Sequence, residues 1–129
     1  MIQHLTKYVN AFWIGYSYLI SSISGDILIK GMPPAISVEL TNHCNLHCPE
    51  CNTGNGLMKR KPGFLDIGLY TRVMKELSPY LYNTNLYFQG EPMLHPSFLS
   101  FIRNSNDTHT VVSTNGHFLG VENSEEIVR

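Results

Sequence analysis

Cysteine is scarce, and its scarcity is concentrated: the 129 residues hold three, Cys44, Cys48 and Cys51, all within eight positions. No cysteine lies elsewhere to pair with them, and an odd count leaves one thiol over, which argues against the dispersed disulfide framework of a small secreted protein. Charge is also sparse. Charged residues make up 15% of the chain and the formal net charge is −1, so there is no overall basic field of the kind that nucleic acid or an acidic membrane surface requires. The basic residues cluster only at Lys59-Arg60-Lys61, which reads first as a solvated segment. Long apolar runs are missing as well. The most apolar stretch, near the N-terminus, is broken by Tyr16, Ser17 and Ser21-Ser22, short of the roughly 18 continuous apolar residues that a membrane span needs. Neither a span nor a signal peptide is expected.

What remains is enough for a folded core: 43% of the residues are hydrophobic, and the length suits one domain. Leu5, Tyr8, Val9, Phe12, Trp13, Tyr16, Leu19 and Ile20 recur at helical spacing, with Thr6, Lys7, Asn10 and Ser17 off that stripe. This predicts an amphipathic helix whose apolar face packs on the domain. Residues 26–30 read as a short strand or a helix end, and Gly31-Met32-Pro33-Pro34 stops any helix. Residues 1–34 are therefore an N-terminal helical extension, and a second unit runs over 35–129.

Within that unit Ile36, Val38 and Leu40 alternate with polar residues and predict a strand leading into the cysteine loop. Asp66 is placed to cap a helix with Ile67, Tyr70, Val73, Met74 and Leu77 on one face, ended near Pro79. A second strand is expected at 85–88, followed by Gln89-Gly90-Glu91-Pro92. Ser97 is placed to cap a helix carrying Phe98, Leu99, Phe101 and Ile102. A third strand at 110–113 runs into Thr114-Asn115-Gly116, and Ser124 followed by Glu125 and Glu126 marks a further helix start. Strands separated by helices imply parallel pairing with right-handed crossovers. In parallel α/β folds the loops at the C-terminal ends of the strands share one face and form the ligand site. The cysteine loop, the Q-G-E-P turn and the S-T-N-G turn each hold that position.

Three thiolates at C-x3-C-x2-C spacing suit a cubane [4Fe–4S] cluster with one iron left open. Structural zinc is the rival ligand, with His43 or His47 as a fourth donor in a non-catalytic binding module. The set of C-N-L-H-C-P-E-C, Q-G-E-P and S-T-N-G, in that order, resembles the radical S-adenosylmethionine (radical SAM) superfamily, most closely its SPASM- and twitch-related branch. The resemblance covers roughly Ala35 to Arg129. It implies the N-terminal half of a partial parallel (β/α)6 barrel, comprising its first three βα units. It further implies that Cys44, Cys48 and Cys51 bind a [4Fe–4S] cluster, whose open iron is completed by SAM and which an external electron donor reduces. SAM would be held by Gly90 and Glu91 with Gln89 and Pro92, and by Ser113, Thr114 and Asn115. The chemistry implied is generation of a 5′-deoxyadenosyl radical in a reducing, cytoplasmic setting. The favoured substrate class is a peptide or protein, and a cluster-binding inactive relative is the remaining alternative. Two positions depart from the family pattern: Gln89 stands where the family has glycine, and Glu50 stands where many members have an aromatic residue.

Overall fold

The computed structural model describes residues 2–105 and 107–127. Val128 and Arg129, the last positions covered by the resemblance, lie outside them. Three short strands, β1 (Ala35–Ser37), β2 (Asn83–Asn85) and β3 (His109–Val111), form one parallel sheet in the order β1-β2-β3. The register pairs Ile36 with Thr84 and Thr84 with Thr110. The ladder runs on past the strands, since Val38 N donates to the Asn85 carbonyl and Leu86 N to the Val111 carbonyl, each at 2.8 Å. The parallel arrangement and consecutive order follow the expectation from βα alternation. The second strand, however, lies earlier than its aromatic run implied. Tyr87 and Phe88 fall beyond the sheet, with Phe88 71% exposed. The third likewise begins and ends before the expected 110–113.

Helix α2 (Ile67–Leu77) behaves as its sequence predicts. The Asp66 side chain accepts from Leu69 N, and Tyr70 and Met74 are buried. Capping of this kind stabilises a helix by about 1 kcal/mol. Helix α3 (Phe98–Arg103) buries Phe98 and Phe101, but Ser97 makes no side-chain cap. His95 supports that corner instead: its Nδ1 accepts from Ser97 N while its Nε2 faces the Leu65 carbonyl. The final helix, α4 (Val121–Ile127), starts three residues before Ser124, so Ser124 lies inside it rather than at its cap. The core joins Leu40, Tyr70, Met74, Leu81, Leu86, Phe98 and Phe101, with Ile36, Val38, Ile67 and Leu77 packed around them. Each such side chain contributes about 1.5–3 kcal/mol on full burial.

The N-terminal helix, α1 (Ile2–Ser24), forms as expected but turns the opposite face inward. Leu5, Tyr8, Phe12 and Leu19 are exposed, whereas Asn10 and Ser17 are buried. The cause is a ladder of hydrogen bonds to the segment that follows. Leu28 N donates to Ser21 Oγ, Lys30 N to Ser17 Oγ and Met32 N to Asn10 Oδ1, while Asn10 Nδ2 donates back to the Met32 carbonyl. Residues 26–30 are thus neither strand nor helix end. Their alternate residues find hydrogen-bond partners on successive turns of α1, as backbone polar groups taken from water must. Among the described residues no helix is long and apolar enough to cross a membrane.

Candidate functional site

The ends of all three strands lead to one place. β1 continues through Leu40, Thr41 and Asn42 into the cysteine loop, and the polar residues there bind a neighbouring segment. Thr41 Oγ1 donates to the Gly63 carbonyl at 2.7 Å, Asn42 Nδ2 donates to the Lys61 carbonyl at 3.0 Å, and Gly63 N donates to Asn42 Oδ1 at 2.8 Å. This pins the entry to the loop. The His43 ring stacks on Phe64 with centroids 4.8 Å apart. Of the basic cluster, Arg60 is held in a two-pronged contact with Glu39.

The loop itself carries three free thiols. Leu46 N donates to Cys44 Sγ at 3.4 Å, and Cys51 N donates to the Cys48 carbonyl at 3.1 Å. The backbone N–H of Gly54, followed by that of Thr53 and then the Thr53 hydroxyl, holds the Cys51 thiol below its ordinary range despite some burial. Gly54 folds the loop back so closely that a Cβ there would lie 2.6 Å from Cys48 N. Both histidines near the thiols have other contacts: His47 Nδ1 faces the Gly54 carbonyl at 3.3 Å, and His43 is stacked. Among the described residues no three His, Cys, Asp or Glu side chains gather tightly enough to hold a single metal ion. By donor chemistry the loop offers three soft sulfurs with N–H groups directed at two of them, a set that fits an iron–sulfur cluster.

The Q-G-E-P turn packs directly on this loop. Gly90 has φ +74°, and a Cβ there would lie 2.6 Å from the His43 carbonyl oxygen and 2.9 Å from Asn42 Cα. Both conditions demand glycine. The next residue completes the junction, since Glu91 N donates to the His43 carbonyl at 2.7 Å. Pro92 opens a single 3-10 turn, Pro92–Leu94, and is buried. Gln89 bridges to the cysteine loop: Thr53 Oγ1 lies 3.0 Å and Cys51 Sγ 4.0 Å from its side-chain oxygen.

Glu91 links the second loop to the third. Its carboxylate, 1% exposed, accepts from Met93 N at 3.0 Å, Thr114 Oγ1 at 2.7 Å and Asn115 N at 2.7 Å. A buried carboxylate needs such donors, and hydrogen bonds to a charged acceptor are the stronger kind. Asn115 Nδ2 then donates to Asn45 Oδ1 at 2.9 Å, closing the circuit back to the cysteine loop. The structure therefore brings together Gln89, Gly90, Glu91, Pro92, Thr114 and Asn115 around the loop of Cys44, Cys48 and Cys51. Ser113 stands apart, exposed. Sequence reasoning missed Thr41, Asn42, Asn45 and Thr53, which hold the loops in place. Their signal was present, since Thr and Asn beside a loop cysteine are residues that bind nearby backbone.

No family model matches the chain. It is 28% identical over 94 residues to the tungsten-containing aldehyde ferredoxin oxidoreductase cofactor-modifying protein of Pyrococcus furiosus, a match covering 70% of this chain and 26% of that protein. Among solved structures it is similar to BtrN in complex with AdoMet and 2-DOIA, at 25% identity and TM-score 0.67, over 78% of this chain and 43% of that one. BtrN in an open conformation matches at 24% identity and TM-score 0.64, over 78% and 47%. The chain thus spans about a quarter of the curated relative and less than half of the solved chains. The small parallel sheet with its helices is shared with BtrN.

Proposed function

We propose that this chain is the part of a radical SAM enzyme that holds the cluster and SAM. Its three strands would be the first three of a partial (β/α)6 barrel. The observation that carries the reading is the circuit just described, in which three strand-end loops are tied by Glu91, Gln89, Asn45 and Asn115 around three free thiols. Cys44, Cys48 and Cys51 would ligate a [4Fe–4S] cluster, and SAM would complete the open iron. When bound and reduced, such a cluster supplies reductive cleavage of SAM to methionine and a 5′-deoxyadenosyl radical.

The chain's own residues prepare that site. Gly90 lets the turn close onto the 41–43 backbone, which leaves main-chain oxygens near the loop for an ammonium group. Glu91, satisfied by internal donors, serves mainly to set the spacing between the second and third loops. Thr114 and Asn115 are positioned through it, and Ser113, outside this circuit, has a solvent-exposed hydroxyl that would be open to a carboxylate or ribose. The AdoMet named for BtrN is consistent with this assignment. The relatives' names mention 2-DOIA and a cofactor and no peptide, so the peptide or protein substrate rests on motif resemblance alone.

Anaerobic reconstitution with iron and sulfide tests the reading. About four irons and four sulfides per chain, lost on replacing Cys44, Cys48 and Cys51 by alanine, are the expected result. One tightly held zinc and no sulfide would establish the binding-module alternative in its place. A cluster that forms but yields no 5′-deoxyadenosine from SAM with dithionite, in the longest natural form of the protein, would mark an inactive relative.

A further inference from the structure

We infer that Gln89 is a tuning residue for the cluster, donating a side-chain N–H to the sulfur of Cys51. The inference rests on the cluster assignment above and concerns the position where this chain departs from the family's glycine. The Gln89 amide reaches from the second loop to the first, ending 3.0 Å from Thr53 Oγ1 and 4.0 Å from Cys51 Sγ. Both contacts converge on one terminal atom of the amide, which the structure assigns as oxygen opposite a thiol proton. The two ends of an amide are chosen by their hydrogen-bond partners.

Ligation removes that thiol proton. A thiolate sulfur offers no hydrogen and accepts only, so an amide oxygen facing it is repelled while an amide NH2 is attracted. Turned over, the NH2 group places one hydrogen toward Cys51 Sγ and the other toward Thr53 Oγ1. The Thr53 hydroxyl then loses its acceptor on Gln89 and is free to donate to the same sulfur. The Gln89 amide thus adds a donor to the sulfur of Cys51 from outside the cysteine loop. Within that loop, Leu46 N donates to Cys44 Sγ. Hydrogen bonds to the sulfurs of such clusters set their potential. Because the reduced cluster carries one more negative charge, each donor favours it and raises the potential.

The chain contains two glutamines, Gln3 and Gln89, which allows a direct test on the unaltered protein. Reconstituted, dithionite-reduced protein carrying side-chain 15N-glutamine is expected to show a 15N coupling to the cluster in pulsed EPR, absent in Gln89→Leu. Potentiometric EPR titration of Gln89→Leu and Gln89→Glu, each with unchanged iron and sulfide content, is expected to move the cluster to more negative potential. A shift on the order of tenfold in the one-electron equilibrium corresponds to 59 mV, with Gln89→Glu the larger because its carboxylate faces the thiolate. Absence of the 15N coupling in fully loaded wild-type protein overturns the inference by itself, whatever the variants do. So does a Gln89→Leu cluster that titrates at the wild-type potential. Wild-type protein that assembles no iron–sulfur cluster overturns the cluster assignment instead, and this inference with it.

Discussion

Replacing Gly90 by alanine tests how the second loop is seated. Two penalties are superimposed there: the residue has φ +74°, and its added Cβ would fall 2.6 Å from the His43 carbonyl oxygen and 2.9 Å from Asn42 Cα. A left-handed conformation costs an L-residue about 1–2 kcal/mol, and forcing extra volume into a packed contact costs about 1–3 kcal/mol. Alanine also restricts the unfolded chain, which offsets about 0.4–1 kcal/mol. The expected net loss is therefore about 1.5–4 kcal/mol. Neither neighbour can yield cheaply, since both are backbone groups held by the hydrogen bonds of Thr41, Asn42 and Glu91. Two other glycines separate the terms. Gly116 shares the positive φ, at +76°, but its Cβ would meet only Leu119 at 3.8 Å, and Gly63 has neither a positive φ nor a neighbour within 4 Å. Gly116→Ala should lose about 1 kcal/mol or less, and Gly63→Ala should gain up to about 1 kcal/mol. Urea unfolding measures the series. With a slope near 2 kcal/mol per molar, the Gly90→Ala midpoint should fall by roughly 1–2 M. A Gly90→Ala midpoint equal to that of Gly116→Ala would refute the steric argument, and one equal to wild type would refute both.

Three further perturbations have defined outcomes. Burial, partly opposed by the Ser105 hydroxyl, holds the Tyr70 phenol above its ordinary value of 10.0. The unfolded chain therefore ionises first, and the stability this group contributes is intact below pH about 10 and lost as pH rises through the folded value. Tyr70→Phe should flatten that alkaline slope in thermal melts while lowering stability at neutral pH through loss of the Ser105 contact. Ser17→Ala removes the partner of Lys30 N, and should cost about 0.5–1.5 kcal/mol and speed amide exchange at Lys30 while leaving Leu86 unchanged. Glu91→Gln places an NH2 group against a backbone N–H, either that of Asn115 or that of Met93. It should destabilise by about 2–4 kcal/mol and accelerate exchange at Asn115 or at Met93, and unchanged protection at both would show that the carboxylate does not hold these loops.

Local pattern alone determined several features of this protein. The helix at 67–77 was legible because its cap and its buried face lie within a dozen residues, so Asp66, Tyr70 and Met74 carry the information themselves. The parallel order of the strands was legible from βα alternation, since a crossover helix leaves little other choice. The thiol cluster needed no folding at all to be seen. Tertiary structure alone decided which face of α1 turns inward: periodicity marks where apolar residues lie but not what will meet them. Here Asn10, Ser17 and Ser21 are claimed by the backbone of residues 28–32, leaving Phe12 and Leu19 outside. It also decided the partners of Glu91. A carboxylate in a turn can face a ligand or its own chain, and only the approach of Thr114 and Asn115, more than twenty residues away, directs it to the latter. The ends of the strands were decided in the same way, because a ladder stops where its neighbour's backbone turns away. Tyr87 and Phe88, for all their β propensity, lie past Asn85, the last residue of β2 in register with its neighbours.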